Sequence, residues 1–465
     1  MRRPADLTAR RPGRAGRPGR AGRTGLAVLT GLAVLAGLTA CSRPRPAAQV
    51  IERSDLIPTA VNPDRDDPRR GRTPLAPGDR LAVIDESGAL VTMLPDGSDR
   101  VGLTPRDSTT VAVYGPTWSK DGRLAWAEVE LAGETGRVVI ARPDRSERIE
   151  IPAPGPPAYL AWDPTGRRIA YVAANGDRYS LNVVDASGAR PASTVIADTA
   201  QVYSAWAPAG DRLAVHTDAG VGVVRLGGGE ALGEFSPFAE RTGLFTTPAW
   251  RSPGELVYAA DRSDRGRTEL VLADERGEVR QVLAQSRGVA RFALDPAGER
   301  LAYHFYAVDH SDPSRHTGER RLVVADLETG EQTPLGDAPS VEFRWNPTGE
   351  RLARLQLAPG RHDADLLQWR LWTPAGEIDG PRLRPLARNI RGGAFVPWSD
   401  TVQLWSPDGG AYAYAGQDAD GRSGIWVAAA APGAEPVRVS GGDRVTWGPA
   451  PPGQRPPAAG GVRPV

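Results

Sequence analysis

Trp162-Asp163-Pro164-Thr165-Gly166-Arg167-Arg168-Ile169-Ala170-Tyr171 is a phrase that the chain repeats. Trp206-Ala207-Pro208-Ala209-Gly210-Asp211-Arg212-Leu213-Ala214-Val215 is a second copy, and Trp345-Asn346-Pro347-Thr348-Gly349-Glu350-Arg351-Leu352-Ala353 and Trp405-Ser406-Pro407-Asp408-Gly409 are others. Leu294-Asp295-Pro296-Ala297-Gly298-Glu299-Arg300-Leu301-Ala302-Tyr303 puts Leu in the Trp position. Trp118-Ser119-Lys120-Asp121-Gly122 and Trp250-Arg251-Ser252-Pro253-Gly254 are looser versions. The anchors 118, 162, 206, 250 and 294 are each 44 residues apart. A fixed period of this size marks a repeat architecture.

Each unit predicts four short strands. The anchor ends the first, and Pro-x-Gly then turns the chain, Pro fixing φ and Gly accepting φ > 0. Arg-Ile-Ala-Tyr opens an alternating second strand. Polar turns such as Ala174-Asn175-Gly176-Asp177 lead to a third strand, and Ser-Gly or Arg-Gly turns lead to a fourth. Four strands in about 44 residues describe one blade of a β-propeller. The chain enters the repeat at a second strand, Asp79-Arg80-Leu81-Ala82-Val83-Ile84-Asp85. The missing first strand is expected at the other end, in Arg444-Val445-Thr446-Trp447-Gly448-Pro449. Pairing the two would close the ring and remove an open edge. Trp118, Trp162, Trp206, Trp250, Leu294, Trp345, Trp405 and Trp447 then give an all-β propeller of about eight blades. Seven remains the alternative, should the unit around Trp250 or Trp345 not form a blade. The Trp positions are expected to pack between neighbouring sheets. Trp369 and Trp372, on a third strand, are expected to do the same.

The Trp-Ser-Pro-Asp-Gly wording, the Ile-Ala-Tyr strand and the closing Val183-Val184-Asp185-Ala186-Ser187-Gly188 resemble the repeats of TolB-like propeller proteins. The likeness spans residues 79 to about 449 and implies the fold. TolB carries an additional N-terminal domain for which this chain shows no counterpart. A partial resemblance links the propeller to that of LpqB-like lipoproteins, where an N-terminal domain precedes the propeller and a sensor kinase accompanies it.

Residues 1–24 are rich in Arg, and residues 25–40 are small and apolar. They form the n- and h-regions of a secretory signal. Leu38-Thr39-Ala40-Cys41 resembles a bacterial lipobox, which implies cleavage before Cys41 and lipid on its thiol. Cys41 is the single cysteine, and with lipid on it no thiol remains for disulfides, cysteine-based catalysis or cysteine-based metal sites. The expected organisation is a lipoprotein signal peptide at 1–40, a Pro-, Arg- and Asp-rich disordered tether at 41–77, the propeller at 78–449 and a disordered tail at 450–465. The whole chain has a formal charge of +1; without residues 1–40 it holds 49 basic and 55 acidic residues, near −6. That balance speaks against a nucleic-acid partner, which needs a basic face.

Two intervals exceed the period: 294 to 345 is 51 residues and 345 to 405 is 60. The first surplus, within 304–320, falls between strands two and three. The second, within 387–401, falls mostly between strand four and the next strand one. Strands alternate in direction, so both surpluses are expected on one face of the disc, on neighbouring blades. Long loops on a rigid scaffold tend to carry function. His310, Asp312, His316, Phe395 and Trp398 are the candidate partner-binding residues. His310, Asp312 and His316 could ligate zinc, but their spacing matches no known ligand pattern, and a solvated loop is expected. Asp418-Ala419-Asp420-Gly421 lacks the glutamate of a calcium loop. No Gly-x-Ser-x-Gly elbow occurs. The function expected from sequence is a non-enzymatic, monomeric scaffold that binds an envelope protein, lipid-anchored outside the cytoplasmic membrane, with no catalytic residue, metal or cofactor. The alternative is an enzyme, or a ligand- or metal-binding protein, using the mouth of the central channel.

Overall fold

A computed structural model describes residues 79–448 apart from 132–134, 228–229, 232–234, 240–245, 263–266, 309–315, 318–320, 337, 359–365 and 387–401. Among the described residues there is no helix, and the strands form eight antiparallel sheets, each one blade. Eight, not seven, is therefore the blade count, with Trp250 and Trp345 in separate blades. Blade one joins Arg444–Gly448 to Arg80–Ile84, Leu90–Met93 and Val101–Gly102. The first strands of blades two to seven are Val111–Trp118, Pro157–Trp162, Val202–Trp206, Ala249–Ser252, Val289–Leu294 and Ser340–Trp345. In blade eight the first-strand place is taken by residues around Leu404, whose carbonyl accepts from Ala413 N–H at 2.9 Å, and Trp405, which bridges to Tyr412.

The ring closes as the register demands. Leu81 pairs with Trp447, Val83 with Val445 and Arg80 with Gly448. Arg80 begins the second strand where Gly448 ends the first. Both ends of the described chain therefore leave from the face of the one–two and three–four turns, here the lower face. The two–three and four–one connections form the upper face. First strands of successive blades touch one another around the ring and so stand innermost.

The repeated phrase works as an inter-blade joint. The indole N–H of Trp162 donates to the carbonyl of Thr117 at 3.2 Å, and that of Trp206 to Ala161 at 2.9 Å. Trp250 repeats this to Ala205, Trp345 to Ala293, Trp405 to Arg344 and Trp118 to Thr446. Every acceptor lies one residue before the preceding blade's anchor. Two joints depart from the rule: Leu294 has no indole, and the buried Trp447 Nε1 finds no acceptor.

The Arg after the turn adds a latch. Arg168 donates to the carbonyl of Gly210 at 2.7 Å and lies over the ring of Trp206 at 5.7 Å; Arg212 does the same with Pro253, at 2.8 Å, and Trp250, at 5.4 Å. Arg123 binds Gly166 and covers Trp162. In blade five the residue before the anchor's partner Leu256 is Glu255, and Arg251 reaches the carbonyl of Gly298 instead. Each stack adds about 0.5–1 kcal/mol on top of its hydrogen bond.

Candidate functional site

The residue three places before each anchor is Gly115, Tyr159, Tyr203, Thr247, Arg291, Glu342, Val402 or Arg444. These positions lie on or beside the innermost strands, above the Trp joints and toward the upper face. Tyr203 of blade four interacts electrostatically with Tyr159 of blade three and with Tyr306 of blade six. Tyr159 interacts with Arg444 of blade one. Blades four and six have a whole blade between them, so this interaction acts across the inner side of the ring.

These inner positions show two chemistries. On one side stand phenols: Tyr159, Tyr203, Tyr306 and, from the third strand of blade three, Tyr179. Burial raises the pKa of Tyr203 and Tyr159, and neighbouring phenols add to the rise, so both stay protonated at any physiological pH. Tyr159 also has φ 52°, at a bulge between Ala158 and Ala161. A bulge re-aims a side chain, and a non-Gly residue with positive φ costs about 1–3 kcal/mol. On the other side Arg291 donates to Glu342 at 2.7 Å and to the carbonyl of Val341 at 2.5 Å, and its guanidinium lies over Phe343 at 5.0 Å. Arg344 approaches the second Glu342 oxygen at 3.0 Å.

Behind this ring His216 is fully buried beside Tyr203, ring centroids 5.8 Å apart, with Nδ1 2.8 Å from the carbonyl of Thr246. That contact assigns the proton to Nδ1. Burial lowers the imidazole pKa, and the Thr246 bond works against it. The folded pKa lies below the unfolded one, so this contribution to stability is present above about pH 6.5 and is lost as the pH falls toward the folded value. The melting temperature is expected to fall more steeply between about pH 7 and pH 5.5 in the wild type than in His216→Gln. Equal slopes would remove His216 as the cause.

Of the residues singled out in the sequence, Cys41, His310, Asp312, Phe395 and Trp398 lie outside the described residues. His316 is described only in its backbone, where His316–Thr317 pairs with Val308 and Ala307. Among the described residues no three His, Cys, Asp or Glu side chains gather as metal ligands. Trp369 and Trp372 are buried on opposite faces of one strand, Trp369 against Tyr412 and Tyr414, Trp372 against Trp345. The axial ring was missed from sequence because its identity changes from blade to blade; counting back three from each anchor would have found it.

No protein-family model and no curated protein matches the chain. Solved structures do resemble it in fold. TolB from Acinetobacter baumannii is 15% identical at a TM-score of 0.36, covering 73% of this chain and 83% of that one. The dihydro-heme d1 dehydrogenase NirN, in complex with DHE, is 14% identical at a TM-score of 0.49, covering 81% of this chain and 76% of that one. An oligogalacturonate lyase in complex with manganese is 14% identical at 0.44, covering 79% and 86%. These likenesses are of fold alone. The dehydrogenase and the lyase are enzymes, and on that finding the expectation that this chain is not an enzyme is corrected: the architecture gives no ground for excluding catalysis.

Proposed function

We propose that this protein is a propeller of the cell envelope, held at the outer side of the cytoplasmic membrane by lipid on Cys41, that docks a protein partner on its upper face. One observation carries the reading. The segment after Val308 leaves between strands two and three of blade six, and the segment after Leu383 leaves between strand four of blade seven and Trp405 of blade eight. Strand direction sends both to the upper face on adjoining blades, while the chain ends leave from the lower one. A rigid ring with its longest connections grouped on one side is built for recognition.

Crosslinking in intact cells tests this. The wild type is expected to yield a defined crosslinked partner that a variant lacking 308–318 loses; equal capture by both would end the docking-face reading. The anchor has its own test. Cys41→Ala is expected to shift the protein from the membrane fraction to the soluble one, because it loses the acyl chains on which stable anchoring depends. Unchanged fractionation and unchanged incorporation of labelled palmitate would refute the lipid.

A further inference from the structure

Between blades three and four lies a cavity of about 390 Å³. Val195, Ile196 and Phe235 form its apolar wall, and Asp198, Thr199 and Asp218 its polar one. Thr199 ends the fourth strand of blade three, Ser193–Thr199, and Asp218 stands in the two–three turn of blade four, so the cavity belongs to the upper face. Local sequence shapes both walls. Tyr179 pairs with Thr199 and Leu181 with Ile196, so Ala197 and Asp198 stand opposite Ser180 alone, in a bulge where Asp198 has φ 51°. In blade four Gly222 admits Phe235, because a Cβ there would stand 2.7 Å from its ring. The two acids differ. Arg178 donates to Asp198 Oδ1 at 2.9 Å and also to the Asp198 carbonyl, so that charge is balanced. Asp218 receives the Thr199 hydroxyl and, at 3.1 Å, the Ala200 N–H, both on Oδ1. Among the described residues no hydrogen bond reaches its Oδ2. Burial works to raise the Asp218 pKa, but the Thr199 and Ala200 bonds, with Arg178, outweigh it and hold the carboxyl below its ordinary value. It is ionised at neutral pH.

We propose that this cavity binds an alkylammonium group, its charge on Asp218 Oδ2 and its carbon chain against Val195, Ile196 and Phe235. The volume is that of a small-molecule site, which runs from about 300 to 1,000 Å³. With Arg178 committed to Asp198, the charge left at the cavity is negative and selects a cation. A guanidinium binds a carboxylate best through both oxygens, and Oδ1 is already taken by Thr199 and Ala200. An ammonium is a compact charge that one oxygen can receive. A metal ion fits less well, since no third His, Cys, Asp or Glu joins the pair among the described residues, and hard cations ask for six or more oxygens. The apolar wall gives the carbon chain of an amine a surface to cover while its charged end stays at the rim.

The cavity sits on blades three and four, away from the connections of blades six to eight on which the docking reading rests, so either can fail alone. The test uses the full chain in detergent micelles, with empty micelles as the blank, and saturation-transfer NMR titration with four probes. Cadaverine is set against its diol analogue, and Nα-acetyl-L-lysine amide against Nα-acetyl-L-norleucine amide. At least one amine is expected to bind while its neutral counterpart does not, and the tighter amine tells a free amine from a lysine side chain as the source. Asp218→Asn keeps an acceptor for Thr199 and Ala200 and should weaken that binding about tenfold or more, the worth of one charge-assisted hydrogen bond. Ala219 lines the cavity from an exposed turn. Ala219→Leu should fill the space and abolish binding at the wild-type melting temperature, and it decides the matter should Asp218→Asn fail to fold. Absence of binding by both amines, equal binding of the neutral probes, or unchanged affinity in the folded variants overturns the proposal.

Discussion

A chain ending at Asp443 is expected to lose its cooperative melt. Arg444–Gly448 pairs with Arg80–Ile84 along its whole length, and it is the strand that joins the last blade to the first. Trp447 is 1% exposed and packs with Leu81, Val83, Met93 and Ile425. Removing its side chain alone would cost about 3–5 kcal/mol. Truncation also strips the acceptor Thr446 from Trp118 and bares the edge of Arg80–Ile84. Such a loss is comparable to the whole stability of an ordinary domain, about 5–15 kcal/mol. Scanning calorimetry and light scattering should show a broadened or absent transition with association through the open edge. A monomer melting as the wild type does would mean the ring does not rely on this closure.

Trp118→Phe is expected to destabilise the ring more than Trp447→Phe. The two side chains are buried alike, at 3% and 1% exposure, and lose the same atoms. They differ in one bond. Trp118 Nε1 donates to the carbonyl of Thr446 at 3.3 Å, whereas Trp447 Nε1 is buried with no acceptor. The first substitution loses an indole-to-carbonyl bond worth about 0.5–1.5 kcal/mol net, although the Thr446 carbonyl keeps its ladder partner Ala82. The second removes a donor that had already been desolvated without return. Chemical denaturation should separate the two by about 1 kcal/mol or more. Equal losses would show that the indole bonds do not hold the blades together.

The fold was legible because its determinants are chemically constant. Trp, Pro-x-Gly and the alternating second strand recur at 44-residue spacing, and an unpaired second strand at one end implied a first strand at the other. Blade five was harder. Its Trp250-Arg251-Ser252-Pro253-Gly254 departs from the phrase, and Arg251 carries the latch from a different position. The indole joints were out of reach because their acceptors are backbone carbonyls, which leave no mark in side-chain identity. The channel mouth stayed hidden for the opposite reason: its residues share a location and no chemistry. His216 could not be ranked either, since one imidazole within an alternating strand carries no spacing signal.

Arg80 and Gly448 lie side by side on the lower face. The segments before Asp79 and after Gly448 therefore both depart from that face. Anything fastened to either end would hold the disc by its lower face and leave the connections of the upper face pointing away from the point of attachment.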